Sequence, residues 1–331
     1  MRTIRASIIG FGSVGQGVAE VLLQKREELE NIGLDLKVVA VADSRGAEVD
    51  YDGIDLSEMI TRKQETGTVA SIQITGAELI RSVEHDLVIE TTPTDIDTGG
   101  AGLENMLAAF EHGRDVVTSN KGPLALKYRK LMDVAREAGS GFRFEATVGG
   151  GMPILNLTHD TLAGNKIISI EGILNGTCNY ILSRMMEEQA SYKQMLAESQ
   201  ELGIAETDPT NDVEGSDTAC KLVILANSIF GMDVNYHDVE VTGITKITPE
   251  ALVLAHDEGY MIKLVGEVKE DLIRASPRLV PIGHPLAVGG TLNVASIQTD
   301  LAGTVTITGR GAGSIETASA ILSDIVSLYR P

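Results

Sequence analysis

The chain has 331 residues of which 43% are hydrophobic, enough to bury two cores rather than one. With 27 lysines and arginines against 47 aspartates and glutamates, its formal charge of −20 excludes any sequence-independent attraction to nucleic acid or anionic lipid. Two cysteines, Cys178 and Cys220, stand in no CxxC or Cys/His spacing, which excludes a disulfide framework and a zinc site.

The N-terminal MRTIRASIIGFGSVG carries an apolar run too short for a signal peptide, and nowhere do about 18 apolar residues run together, so a cytoplasmic protein is expected. IRASII at 4–9 reads as a short buried strand, followed by glycines and by the helical spacing of Val18, Val21, Leu22 and Leu29. KVVAVAD, from Lys37 to Asp43, is a β-branched run ending in an acid, as a second parallel strand would be, and HDLVIETT at 85–92 is another. LENMLAAFEHG is a helix stopped by Gly113, and RDVVTSN follows it. Strands alternating with helices imply right-handed crossovers and a parallel, Rossmann-type doubly wound α/β sheet.

From about Gly149 the pattern changes. KIISIEGIL and GYMIKLVGEVK look like strands, while long amphipathic helices are expected over 179–202 and 215–230, a mixed α/β arrangement. The chain ends on VTITGRGAGSIETASAILSDIVSLY, a glycine cluster and an apolar helix expected to return to the first domain. The expected division is therefore 1–145 for the dinucleotide-binding domain, 146–305 for a substrate and dimerisation domain, and 306–331 for the returning segment. A cleft between the domains is the expected place for both ligands.

Gly10, Gly12 and Gly15 form GxGxxG at a strand end and a helix start, with Phe11, Ser13 and Val14 filling the turn. Gly10 permits the tight turn, Gly12 lets backbone approach a pyrophosphate at the positive helix end, and Gly15 lets helix and strand pack closely. Asp43 at the end of the second strand can accept from adenosine ribose hydroxyls, which favours NAD. Arg45, two residues on, can instead hold the 2′-phosphate of NADP. The two residues oppose each other, and the choice stays open with a slight lean to NADP.

TSNKGPLA at 118–125, EATVGGGMPI at 145–154, GILNGTCNYIL at 172–182 and AETDPTNDVEGSDTACKLVILAN at 205–227 resemble the signature blocks of homoserine dehydrogenase. With the glycine fingerprint and the terminal GRGAG, the resemblance spans nearly the whole chain and is to the short form of the family, without an aspartate kinase domain or an evident C-terminal regulatory extension. It implies reversible NAD(P)H-dependent reduction of aspartate semialdehyde to homoserine, on the route to threonine, methionine and isoleucine, by a homodimer.

Hydride transfer to an aldehyde develops negative charge on the carbonyl oxygen, so the site needs a proton donor or fixed positive charge. Lys121, after a strand end, and Lys221, on a helix, are placed to supply it. The resemblance implies that Lys221 is the general acid and base, and that Lys121 lies at the cofactor and reaction centre. Asp217 and Lys221 are four apart, so they share a helix face as an ordinary ion pair or as part of the site. The substrate ammonium calls for acids, which the run Glu206, Asp208, Asp212, Glu214 and Asp217 supplies. By the resemblance Glu206 binds substrate, with Asp212 and Asp217 next. Asn175, Gly176 and Thr177 form a turn that binds substrate or cofactor, or simply caps a helix.

EATVGGGMPI, with one carboxylate and carbonyls around glycines, is either an interdomain hinge or an all-oxygen cage. The resemblance implies a monovalent cation there, usually sodium, on Glu145, Val148, Gly150 and Met152. Thr92 and Ser119 are placed to touch nicotinamide or ribose, and Gly311 in GRGAG either lets the returning chain approach the cofactor or makes a tight turn. The six histidines show no metal spacing. The rival readings are another amino-acid dehydrogenase on the same plan and a nucleotide sensor without turnover.

Overall fold

The computed structural model describes residues 1–330. The chain divides into two compact units, Met1–Gly151 together with the segment from Gly313 on, and Met152–Ala312.

The first unit opens with β1 (Arg2–Ile9), α1 (Ser13–Gln24), α2 (Arg26–Asn31), β2 (Leu34–Asp43) and β3 (Gly46–Val49). It continues with α3 (Leu56–Thr66), α4 (Gly76–Ser82), β4 (Leu87–Glu90), α5 (Gly100–Glu111), β5 (Asp115–Thr118), α6 (Lys121–Ala138) and β6 (Phe142–Arg143). The sheet order is β3-β2-β1-β4-β5-β6. All neighbours are parallel except the β2–β3 hairpin, and the order reverses between β1 and β4. This Rossmann-type arrangement leaves its crest, where ligands bind in such sheets, at the carboxyl ends of β1 and β4. All four residues of β4 are buried, as expected for a strand covered on both faces.

The second unit contains α7 (Ile154–Asn156), β7 (Ile167–Ile173), α8 (Gly176–Glu188), α9 (Tyr192–Glu201), α10 (Thr210–Val213) and α11 (Ser216–Phe230). It is completed by β8 (Glu240–Val241), α12 (Pro249–Asp257), β9 (Tyr260–Lys269), β10 (Leu272–Pro281), β11 (Leu292–Thr299) and β12 (Thr304–Arg310). Its sheet, β12-β11-β7-β9-β10-β8, is antiparallel but for the edge pair β8–β10. A side chain at Gly266 on β9 would meet Leu222 and Thr218 at 2.9 and 3.0 Å, so this glycine lets α11 lie close on the sheet.

The last helix, α13 (Ser314–Tyr329), belongs to the first unit. Its Ala318, Ile321 and Ile325 share one core with Val18, Ala19 and Leu22 of α1. Gly17 makes that packing possible, because a Cβ there would lie 2.2 Å from Ser314 Oγ. The far end is tied by Tyr329 Oη donating to Asp115 at 2.6 Å.

Two expectations are corrected. The second unit runs over Met152–Ala312 rather than 146–305: Glu145–Gly151 stay with the first unit, and residues 304–310 form β12 and pair along β11. The helix expected over 179–202 is two helices. Gln189 ends α8 in the left-handed region at φ 51°, and Ser191 with Gln194 builds a capping box that starts α9.

Candidate active site

The glycine fingerprint sits at the crest of the first sheet, and each glycine has its own physical reason. Gly10 has φ +101° and would bring a Cβ within 2.6 Å of the Thr91 backbone. At Gly15 a Cβ would lie 2.0 Å from Gly10 O. Gly12, by contrast, faces open space, with nothing within 4 Å of the built Cβ. It is also the N-cap of α1, with no side-chain cap on the helix's first N–H groups. Open space beside uncapped N–H groups fits a pyrophosphate. Of the turn residues, Phe11 is buried in the core, while Val14 packs on that core from a half-buried position. Ser13 lends its carbonyl to Ser314 Oγ at 2.6 Å.

Asp43 is held by partners within the first unit. Its Oδ1 accepts from Arg45 N at 2.9 Å and Thr68 Oγ1 at 3.1 Å, and its Oδ2 from Lys63 Nζ at 2.7 Å and Val69 N at 2.9 Å. Burial pushes this carboxyl up, but the bonds from Lys63, Arg45 and Val69 outweigh it and hold it below the usual range. The carboxylate is thus already fully engaged by the protein. Lys63, twenty residues away in sequence, is a partner of Asp43 that sequence spacing gave no reason to select. The exposed Arg45 guanidinium donates to Thr66 O at 3.5 Å.

At the other end of the crest, Thr92 Oγ1 accepts from Asn120 Nδ2 at 3.2 Å, and Asn120 caps α6 through Gly122 N at 3.2 Å. Lys121 is therefore the first residue of a capped helix, and the half-buried Ser119 stands just before the cap.

In the second unit the predicted substrate residues converge. Lys221 is 7% exposed and its Nζ donates to Asp217 Oδ2 and to Leu174 O, both at 2.7 Å. Asn175 caps α8 by accepting from Cys178 N at 2.8 Å. Its Nδ2 donates to Asp212 Oδ1 at 2.6 Å and to Asp217 Oδ2 at 3.0 Å. Four side chains and one carbonyl thus form a single hydrogen-bonded cluster of two acids, one cation and one amide.

Glu206 stands outside that bonded cluster, exposed on the loop before α10, with its carbonyl accepting from Gln200. Asp208 caps Thr210 instead, and Glu214 is exposed. Gly176 is required locally, because a Cβ would lie 2.7 Å from Thr291 O. Thr177 spends its hydroxyl on Ile204 O at 3.2 Å. Cys178 donates to Asp212 O at 3.1 Å, and burial, followed by the Asp212 and Asp217 charges, pushes its thiol well up. It lines the cluster as an inert thiol.

A model of the homoserine dehydrogenase NAD-binding domain matches residues 10–145, and a homoserine dehydrogenase model matches residues 153–326. A homoserine dehydrogenase from Methanocaldococcus jannaschii is 52% identical over 97% of both chains. The chain belongs to the homoserine dehydrogenase family. It is therefore an NAD(P)-dependent oxidoreductase. A crystal structure of a putative homoserine dehydrogenase from Archaeoglobus fulgidus is similar at TM-score 0.94 and 49% identity, covering 99% of this chain and 100% of that one. A hyperthermophilic archaeal homoserine dehydrogenase in complex with NADPH is similar at TM-score 0.87 and 30% identity, covering 98% and 97%. Among the rival readings, a dehydrogenase for a different amino acid gives way to this identity over both domains.

Three further features of this homoserine dehydrogenase bear on the predicted site. Glu145 is buried in a short turn of the first unit, where its N–H donates to Asp324 on α13 at 2.8 Å. Val148 and Gly150, the latter at φ +57°, follow it in the same unit, whereas Met152 opens the second. Gly311 has a packing reason of its own, since a Cβ there would lie 1.7 Å from Asn293 Nδ2. Finally, Lys263 on β9 is 1% exposed and donates to Asn179 and Ser183 of α8 at 2.7 and 3.0 Å. Burial lowers its ammonium to about 8. Sequence spacing offered no sign of this third lysine. Among the described residues no helix is long and apolar enough to cross a membrane.

Proposed function

We propose that Lys221 is the general acid and base for the interconversion of aspartate semialdehyde and homoserine, the reaction that defines the family. The observation that carries this is the Lys221 ammonium, buried and aimed between Asp217 and Leu174 O. On reduction it donates a proton to the nascent alkoxide, and on oxidation the same nitrogen, once neutral, takes the hydroxyl proton of homoserine. Asp217 holds that nitrogen in place. Asp212 and Asp217, fixed by Asn175, and the exposed Glu206 receive the substrate ammonium, while Gly176 and Thr177 form the turn at its carboxylate.

Bound NAD(P) supplies the hydride acceptor or donor. Gly10, Phe11, Gly12, Ser13, Val14 and Gly15 hold its pyrophosphate, and Thr92 and Ser119 its nicotinamide half. Lys121 adds positive charge at the reaction centre. NADP is favoured over NAD because Asp43 is already occupied by four donors, Lys63 among them, which leaves the exposed Arg45 guanidinium for a 2′-phosphate.

Glu145 with the carbonyls of Val148 and Gly150 suits a hard monovalent cation such as sodium, and Met152 O is the further donor we assign to it. Among the described residues no group of three His, Cys, Asp or Glu is set for a divalent metal. We place the enzyme in the cytoplasm as a homodimer.

Homoserine oxidation measured with NAD and NADP separately, with and without sodium, tests the whole reading. Lys221→Ala should lower kcat by about 10²- to 10⁴-fold while cofactor binding persists. An unchanged kcat in folded protein would remove Lys221 from the mechanism.

A further inference from the structure

The geometry points to Glu90 as a positioning residue for the cofactor side of the reaction, acting through Thr92, Thr118 and the Asn120 cap rather than by touching a ligand. Glu90 ends β4, at the place where the strand order reverses, and is fully buried. It pairs with Ile9 of β1 on one side and with Thr118 of β5 on the other. It therefore lies under both arms of the crest.

Its carboxyl joins those arms. Oε1 accepts from Thr92 N at 3.1 Å and from Thr92 Oγ1 through a short bond, and Oε2 accepts from Thr118 Oγ1 at 3.1 Å. Thr118 Oγ1 in turn accepts from Asn120 N at 2.9 Å, and Asn120 Nδ2 returns to Thr92 Oγ1 at 3.2 Å. The loop of bonds closes on the residue that caps α6, and the next residue is Lys121. Even the Glu90 carbonyl is used, accepting from Ser119 N at 3.2 Å.

A buried carboxyl is expensive. Burial raises the protonation range of Glu90 against the lowering effect of the bonds from Thr92, Thr118 and Asn105. An apolar residue would fill the same core volume without that cost, but would leave the Thr92 N–H and hydroxyl without their acceptor and Thr118 Oγ1 with only the Glu90 carbonyl, at 3.0 Å. What the carboxyl adds is a fixed distance between the end of β4 and the start of α6. That distance sets where Thr92, Ser119 and Lys121 stand relative to one another.

The inference rests on reading Thr92, Ser119 and Lys121 as cofactor-side residues, and the experiment separates the two. NADPH affinity is measured by fluorescence titration of the full chain, alongside kcat and the KM for homoserine and a thermal melt. Glu90→Ala and Thr118→Val should each weaken NADPH about tenfold and lower kcat, with the homoserine KM within about twofold of wild type. Glu90→Gln should recover most of both, since the amide keeps an acceptor for Thr92 and gives a donor to Thr118 Oγ1. Folded Glu90→Ala with wild-type NADPH affinity, or Glu90→Gln no better than Glu90→Ala, overturns the inference. If Glu90→Ala does not fold, Thr118→Val decides it by the same criterion. Thr92→Ala and Lys121→Ala are the controls. If they also bind NADPH as wild type, it is the cofactor-side reading that fails.

Discussion

Asn175 occupies a position where a single atom swap separates a helix cap from a catalytic scaffold. Its Oδ1 caps α8, while its Nδ2 bridges Asp212 and Asp217 at 2.6 and 3.0 Å. Replacement by serine keeps a competent cap but is too short to reach either acid. A lost cap costs about 1 kcal/mol, and a hydrogen bond to a charged acceptor contributes about 1.5–3 kcal/mol. Asn175→Ser should therefore lose roughly 3–6 kcal/mol of unfolding free energy, nearly all of it from the two bonds of the bridge. Asn175→Ala should lose about 1 kcal/mol more. In activity the Ser variant frees Asp217 from its second partner, so the Lys221 nitrogen is less well fixed. We expect kcat/KM for homoserine to fall about 10- to 100-fold, equivalent to about 1.4–2.7 kcal/mol. Asn175→Asp keeps the cap but sets a third carboxylate against two, and should be the least active of the three. Urea unfolding and steady-state homoserine oxidation on the same preparations decide it. A Ser variant with wild-type kcat/KM would mean that the asparagine only starts a helix and that the acids hold their places without it.

Two further predictions concern the first unit. His85 is 1% exposed, its Nδ1 meets Val83 O at 2.9 Å, and burial lowers it to about 4. With the folded value below the ordinary 6.5, the unfolded chain binds the extra proton. The stability His85 confers is complete above about pH 6.5 and drains away between there and about pH 4, by about 3 kcal/mol at most. The urea midpoint of wild type minus that of His85→Gln should shrink across that window, and a constant difference would contradict the account. Gly17→Val would force a side chain into Ser314, where even a Cβ meets Oγ at 2.2 Å and the carbonyl at 2.7 Å, so α13 must shift from α1. A loss of about 1–3 kcal/mol is expected, measured by thermal melt; an unchanged melting temperature would show the two helices are not in tight register.

What the sequence made legible was periodic or local. The strand-glycine-helix unit, the acid-terminated second strand and the Asp217/Lys221 spacing are all read within a few residues, and all stand in the structure. The break at Gln189 was hidden because amphipathic spacing continues through it. Only the capping box at Ser191 marks it, and that signal is as local as the ones that were read. The engagement of Asp43 by Lys63, Thr68 and Val69 could not be read, because it joins residues 20 to 26 apart across β3 and α3, a separation that no local spacing reports. Leu174 contributes a backbone carbonyl, which no residue type reports. Gly311 looked like a ligand-facing glycine, but the nearest reason for it is Asn293.

The two lysines are also marked by the rules they break. Lys121 is the first residue of α6, where the unpaired N–H groups make the helix end positive and a cation costs about 0.3–1 kcal/mol. Lys221 lies in the middle of α11 among buried neighbours, although lysine is almost never buried unless paired. A sequence shaped for stability alone would put an acid at the first position and an apolar residue at the second. In each case the cost is contained by an asparagine at the junction of a strand and a helix. Asn120 follows β5 and caps the helix that carries Lys121, and Asn175 follows β7 and orders the acid that pairs with Lys221. A short strand-to-helix turn with a side-chain cap on the helix's first turn allows little movement, so it is a suitable place to hold a charge that its surroundings do not favour. On this argument the two asparagines should tolerate substitution less well than the exposed acids of the 206–214 segment. They fix the direction in which each lysine is presented, whereas an exposed acid such as Glu206 contributes only its charge.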